Sequence, residues 1–194
     1  GELSSYPKLA GSIISIRSEG LHLNTLSQCV GLTLAEDYPF EASVTLAGTA
    51  NAWEIQNLEL KSALITARAD GVISHDGSLA SHVKVGIQDI DKLTMALGTE
   101  RYLKGVNAEL EFHLAGQPGR FEARQGQIST ASSRGSFTGY IDSNPILDEF
   151  DLDLTLSGTD IQKLMRDPPQ IAANLPFSLT TRLGSELDGK MKAD

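Results

Sequence analysis

Apolar and polar residues alternate with a period of two along much of the chain. The clearest run is 108–114, where Ala, Leu, Phe and Leu alternate with Glu, Glu and His. Similar alternation runs through 79–87 and 150–156, and a weaker form of it runs through 40–46. Strands with one apolar and one polar face are typical of antiparallel sheets. The pattern therefore predicts a mainly β fold built from antiparallel strands.

Helical spacing of apolar residues is confined to short segments between these runs. It covers 90–97 after Asp89 and 161–165 after Asp160, and it recurs at Leu23, Leu26 and Val30, which suggests the tail of an earlier unit. An aspartate directly before such a segment is a favourable N-cap, and Pro168-Pro169 would end the second one. We therefore expect several antiparallel strands, a short amphipathic helix, a proline-containing loop, and then the next strand.

The chain contains an internal similarity. Leu-Ala-Gly occurs at 46–48 and again at 114–116, so the offset between the two copies is 68 (114 − 46). Asp-Ile-x-Lys-Leu occurs at 89–93 and 160–164, and here the offset is 71 (160 − 89). Chance similarity between β-rich segments is the alternative explanation. The repeat hypothesis predicts two multi-stranded units, with the extra residues of the second unit in a turn.

A Pro-Phe pair extends this similarity to both ends of the chain, because it occurs at 39–40 and at 176–177. The hypothesis is thus of a chain taken from a longer array of units. Its proposed parts are the end of a preceding unit at 1–38, complete units at 39–105 and 106–174, and the start of a further unit at 175–194.

Composition argues against several classes of function. The chain has 194 residues and a formal net charge of −9, which disfavours nonspecific binding to nucleic acid and broad adsorption to anionic lipid surfaces. Its one cysteine, Cys29, allows no internal disulfide. The sequence has no apolar run near the roughly 20 residues of a membrane span and no signal-peptide pattern at its start.

The sequence also lacks a recognisable catalytic pattern. Its four histidines lack metal-ligand spacing, and 184–190 imitates a phosphate-binding loop but is followed by Met191 where Ser or Thr is needed. A cluster of four acidic residues could form a weak cation site, but alternation places Asp151 and Asp153 on the outward face of a strand. The four residues are Asp148, Glu149, Asp151 and Asp153. Trp53 and Phe121 are better explained as residues that anchor strands than as a platform for a sugar. We therefore expect no enzyme activity, no cofactor and no metal.

Two segments carry a family resemblance. LTLSGTDIQKL at 154–164 and LPFSLTTRL at 175–183, set among glycine-bounded strands, resemble the AsmA-like family of bacterial envelope proteins. The resemblance covers residues 11–194, although its motifs consist mainly of apolar spacing. It implies an inner-membrane anchor, which this sequence does not contain, and a long periplasmic body of repeated antiparallel sheet. It also implies that phospholipid moves along the apolar surface of that body between the inner and outer membranes, supporting outer-membrane homeostasis.

The predicted site is therefore the apolar face of the sheet, with phospholipid acyl chains as its partner and no role for nucleic acid. Under this hypothesis the sheet forms a twisted, taco-like open groove. A closed sandwich covered by a second layer is the alternative. The residues predicted to line the groove are Val44, Leu46, Val83, Val85, Ile87, Leu110, Phe112, Leu114, Phe150, Leu152, Leu154 and Leu156.

Three function classes remain open from the sequence. Lipid conduction would need an uninterrupted apolar face that is open to solvent. A non-catalytic scaffold for envelope or outer-membrane protein assembly would instead use sheet edges, and those edges could also pair one copy with another. A glycan-processing enzyme would need convergent buried carboxylates.

Overall fold

Eleven antiparallel strands form one continuous sheet in the order in which they occur along the chain. The computed structural model describes residues 10–28, 34–97, 105–143, 147–165, 175–185 and 191–193. Each inner strand pairs with the strands before and after it, so the described part of the sheet is a meander without a crossover. In the same ranges, two short α-helices and one 3₁₀ helix connect strands.

The elements have the following bounds. The strands are β1 (Ile13–Gly20), β2 (Phe40–Gly48), β3 (Ala52–Ser62), β4 (Ile65–Ser74), β5 (Leu79–Ile87), β6 (Ala108–Gln117), β7 (Arg120–Thr130), β8 (Ser133–Ser143), β9 (Leu147–Gly158), β10 (Phe177–Ser185) and β11 (Met191–Ala193). The helices are α1 (Leu23–Gln28) and α2 (Ile90–Ala96), and the 3₁₀ helix is η1 (Ile161–Lys163).

The predicted mainly β fold and its open antiparallel sheet are confirmed. Among the described residues, the extensive contacts between strands join neighbours in the sheet, and no second sheet packs on the first. The sheet is uncurled, so its apolar surface forms a broad open face. The alternation seen in the sequence sets this architecture, because every second side chain of a strand points to the same side.

Irregularities in the sheet recur at the spacing found in the sequence. The β2–β3–β4 ladder shifts register at Ile55–Leu58 of β3, and the β6–β7–β8 ladder shifts at Ala123–Gly126 of β7. The two shifts have the same offset as the two Leu-Ala-Gly segments (123 − 55 = 114 − 46). Gln125 lies in the second shift with φ of 53°. Each shift is a β-bulge that inserts one residue into its strand.

The extra residues of the second half lie at the tip of the β8–β9 hairpin, where they lengthen the paired strands and not the turn that was predicted to hold them. Ile73 pairs with Leu79 across the β4–β5 hairpin, and Ile141 pairs with Phe150 across the β8–β9 hairpin. The second hairpin is therefore longer by three residues ((150 − 141) − (79 − 73)). From Phe150 onward the two halves align at the larger offset, that of the two Asp-Ile-x-Lys-Leu segments (150 − 79 = 160 − 89).

The two Asp-Ile-x-Lys-Leu segments begin helices of different length. Asp89 caps α2, because its Oδ1 accepts hydrogen bonds from the backbone N–H groups of Asp91 (2.9 Å) and Lys92 (3.2 Å). Asp160 caps η1 through one such bond, from the N–H of Gln162 at 3.0 Å. The α-helical turn expected at 161–165 is therefore only a 3₁₀ turn at Ile161–Lys163.

A small core lies at one end of the strands, where the helices pack. It joins Leu23 of α1, Phe40 of β2, Leu64 of the β3–β4 turn and Ala96 of α2. The Ser62 hydroxyl holds that turn by accepting hydrogen bonds from the N–H groups of Leu64 (3.2 Å) and Ile65 (3.1 Å). Because the helices gather at this end, no described element covers the rest of the sheet face.

Loss of the cap on α2 gives a measurable prediction. Asp89→Ala should lower the free energy of unfolding by about 1 kcal/mol, because two N–H groups of the first turn lose their acceptor. Asp89→Asn keeps a side-chain oxygen at the same place and should cost much less. Urea unfolding of the three proteins measures the difference, and equal losses for both variants would contradict the capping role.

Candidate functional site

One face of the sheet carries apolar side chains from β1 to β10. Strand pairing sets Val44 beside Leu58, then Ala69, Val83 and Phe112 in a single row across five strands. Past the bulge in β7 the row continues through Phe137 and Leu154. Parallel rows on either side are also dominated by apolar and small residues. The apolar surface is therefore continuous across the strands.

All twelve residues predicted from the sequence belong to this face. Those of β5 and β6 are direct neighbours, because Val83 pairs with Phe112 and Val85 with Leu110. In β9, Leu154 pairs with Phe137 and Leu152 with Gly139. Eleven of the side chains are half-buried; for Phe150 the structure describes the backbone within β9 and not the side chain.

Alternation in the sequence did not identify all of this face. The larger overlooked residues lie on β1, β3, β4, β7, β8 and β10. They include Ile14, Ile16, Ile55, Leu58, Leu60, Ile65, Ile128, Phe137 and Leu179. In β1 and β10 the alternation is visible in the sequence and could have been used. In β3 the bulge inserts a residue and breaks the period of two.

The apolar face is open rather than closed by a second layer in the part of the chain that the structure describes. The exposed fraction reaches 55% for Ile16 and 50% for Leu179, one near each end of the strand order. Between them most apolar side chains are only half-buried, as expected where neighbours in the same sheet provide the packing. The closed-sandwich alternative would instead bury these side chains against a second sheet or a layer of helices.

An aromatic contact crosses the middle of the face. The rings of Phe112 in β6 and Phe137 in β8 meet edge to face, with centroids 5.6 Å apart. Gly126 in the intervening strand makes this possible, because a Cβ there would lie 2.6 Å from the Phe137 ring. The ring therefore covers the backbone of β7, which explains why Phe137 is only 7% exposed.

Cross-strand ion pairs occupy the opposite face. His82 Nε2 and Lys84 Nζ lie 2.8 and 3.1 Å from Glu111 Oε1, and the ring of His113 lies 5.1 Å from that of His82. The hydrogen bond from Lys84, together with that from His82, lowers the pKa of Glu111 below its usual range. Both histidines thus lie on the polar face, as their place in the alternation predicted.

A concavity of the described surface also lies on the polar face. About 770 Å³ in volume, it crosses β3 to β8 between two rows of polar side chains. Its Arg68 and Lys61 lie 3.3 and 3.6 Å from Glu59, so their charges are largely compensated. Among its described side chains the concavity therefore presents no cluster of free cations suited to an anion, and it is separate from the apolar face.

The ion pair between Asp151 and Arg182 predicts a pH dependence. The Nε of Arg182 donates to Asp151 Oδ1 at 2.8 Å, and this bond lowers the pKa of the carboxyl. A carboxyl whose pKa is lower in the folded chain contributes stability at neutral pH, and the contribution is lost as pH falls through the folded-state value.

Arg182→Gln should consequently be less stable than the unmodified chain at neutral pH, by a small amount because the arginine is exposed. The difference should vanish in acid. Unfolding at a series of pH values measures it. Arg134→Gln removes the same charge from an exposed position of the polar face, and its effect should not follow the titration of Asp151.

Within the described ranges no three His, Cys, Asp or Glu residues are grouped so that they could hold a metal ion. No helix in the described part of the chain is long and apolar enough to cross a membrane. Comparison with protein-family models, with curated proteins and with solved structures gives no match. The arrangement of the apolar face is therefore the feature on which a function can be argued.

Proposed function

We propose that this chain is part of an AsmA-like envelope protein, and that its apolar sheet face carries phospholipid between the inner and outer membranes. In this proposal the sheet lies in the periplasm, and an anchor outside this sequence holds the protein to the inner membrane. The observation that supports it is the continuous apolar face, which no second layer covers among the described residues.

An open apolar sheet face favours the binding of alkyl chains. Transfer of alkyl groups out of water is worth about 0.8 kcal/mol per buried CH₂, so acyl chains gain by lying on an open apolar sheet. The gain does not depend on a single deep pocket, because each row of side chains offers a similar surface. A lipid could thus move from row to row, because it would not have to escape from a tight binding site.

The headgroup would remain in solvent beside the sheet. Charged side chains of the polar face pair with one another, as Lys84 does with Glu111, and lie on the other side of the backbone. The proposal therefore assigns the acyl chains to the apolar face and assigns no specific headgroup contact.

Site-specific photo-crosslinking in cells tests this proposal. A photoreactive residue at Leu152, on the apolar face of β9, should become linked to phospholipid, because acyl chains would lie against it. The same photoreactive residue in place of Asp153 would face the opposite side of the sheet and should give little or no lipid adduct. Mass spectrometry of the isolated adducts measures both.

A photoreactive residue in place of Leu110 repeats the test on β6, two strands before the longer hairpin. The same substitution at Glu111 is the control on the polar face. Equal labelling at the apolar and polar positions would reject lipid carriage on this face. It would favour the alternative of a non-catalytic scaffold that uses the sheet edges.

A further inference from the structure

The first strand of the sheet has an unpaired side among the described residues. β1 lies at one end of the strand order and pairs with β2 alone. Its first seven residues are all exposed, and the exposed fraction is 69% for Ile13 and 55% for Ile16. An exposed edge strand of this kind offers unpaired backbone donors and acceptors to another strand.

The hydrogen bonds to β2 identify which backbone groups point outward. The N–H of Gly48 donates to the carbonyl of Ser12 at 2.7 Å. Because the bonding direction alternates along an antiparallel strand, the even-numbered residues of β1 face β2. The N–H and C=O groups of Ile13, Ser15, Arg17 and Glu19 therefore face away from the sheet.

β1 also lacks most features that protect natural sheet edges. It contains no proline, and its pairing with β2 continues without a bulge from Ile13 to Gly20. Its charged residues are Arg17 and Glu19, both on the polar face and of opposite sign. Protection of an edge usually relies on inward-facing charges, prolines or bulges.

We propose that this edge binds β1 of a second copy of the chain. The two strands would run antiparallel, and a two-fold axis between the two Ile16 residues would relate the copies. Even-numbered residues of one copy must oppose even-numbered residues of the other, because only then do the two apolar faces form one surface. An axis at Arg17 would place that cation opposite itself. An axis at Ile16 pairs all seven exposed residues instead.

Side-chain pairing supports the same register. Ile16 faces Ile16 of the second copy, and Ile13 lies opposite Glu19 of the second copy. Ser15 lies opposite Arg17 of the second copy, and no like charges meet. One strand pair buries less area than a stable dimer needs, so the association should be weak and dependent on concentration.

The pairing would enlarge the apolar face, because Ile14 and Ile16 of the second copy continue it past β1. It rests on the edge geometry and does not depend on lipid carriage. Failure of lipid crosslinking would leave it intact, and failure of dimerisation would leave the lipid proposal intact.

Sedimentation velocity over roughly a hundredfold range of protein concentration tests the proposal, because a bimolecular equilibrium shifts with concentration. Ser15→Lys should weaken dimerisation about fivefold, because it places two like-charge pairs across the axis, against Arg17 of each copy. Ser15→Glu should maintain or strengthen it, because each glutamate would face an arginine. Thr155→Lys, an added cation on the exposed polar face of β9, is the matched control and should have no effect.

Amide hydrogen exchange supplies an independent measurement. The N–H groups of Ile13, Ser15, Arg17 and Glu19 should exchange quickly in dilute protein and become protected as dimer forms. If Ser15→Lys and Ser15→Glu weakened dimerisation to the same extent, the register at Ile16 would be overturned. A chain that stays monomeric at every concentration would overturn the proposal, and protection of these amides in that monomer would show another segment of the chain on the edge.

Discussion

Leu64→Ala should destabilise the fold by about 3 kcal/mol, within the range of large-to-small substitutions in a packed core. Leu64 is 1% exposed and lies where α1, α2 and the first strands meet. Its removal would leave a cavity that the short β3–β4 turn could not close, because the Ser62 hydroxyl fixes that turn. Urea or thermal unfolding measures the loss.

Leu21→Ala is the matched control for this prediction. Leu21 is 72% exposed, so its truncation should change the free energy of unfolding by less than about 0.5 kcal/mol. Similar losses for the two variants would contradict a core concentrated at the helix-bearing end of the sheet. They would point instead to stability spread evenly over the whole sheet.

Much of the fold could be predicted from the sequence because most strands follow an undisturbed period of two. In β6, Leu110 and Phe112 alternate with polar residues; the strand begins at Ala108 as the pattern indicates and continues past the pattern to Gln117. The bulges of β3 and β7 recur at the offset of the two Leu-Ala-Gly segments, although the sequence pattern predicted no bulge. The hypothesis of repeat units is compatible with this spacing and stays a prediction.

The overlooked part of the apolar face has a local physical cause. A bulge shifts the alternation in β3, so Ile55 and Leu58 share a face although three positions separate them. In the middle of β4 the face consists of small residues such as Ala67 and Gly71, which give little hydrophobic signal. A search that allows one inserted residue per strand would have found the first group but not the second.

The core at the end of the strands could not be predicted because it depends on distant segments. Leu34 and Leu64 are far apart in the sequence and belong to no alternating run, yet both are buried in the same cluster. The backbone N–H of Ala35 also donates to the carbonyl of Ala96 at 2.6 Å, which ties the segment before β2 to α2. Such contacts follow from tertiary folding and not from local spacing.

Openness of the apolar face was likewise undetermined in the sequence. A strand with one apolar side is equally compatible with a sandwich and with a single open sheet, because both satisfy the same alternation. The structure decides between them for the described residues through the half-buried state of side chains such as Val44 and Leu110. The function of an open face is then a separate question, which a charge placed on it can answer.

Leu154→Asp should abolish most phospholipid binding while leaving the chain folded. Leu154 is half-buried between Phe137 of β8 and Thr181 of β10, so a carboxylate there would keep part of its hydration. The expected loss of stability is about 1 kcal/mol, below the several kcal/mol of an unpaired charge in a sealed core. An acyl chain passing this position would have to remove the remaining water from the carboxylate.

Binding of a fluorescent phospholipid should consequently weaken at least about tenfold, which corresponds to roughly 1.4 kcal/mol. Ser136→Asp adds the same charge to the exposed polar face of β8 and should leave lipid binding unchanged. Circular dichroism and urea unfolding verify that both variants are folded. An unfolded Leu154→Asp chain would indicate that the face is sealed in solution, because only a covered site makes one carboxylate so costly. Equal lipid binding by the two variants would place the acyl chains elsewhere on the protein.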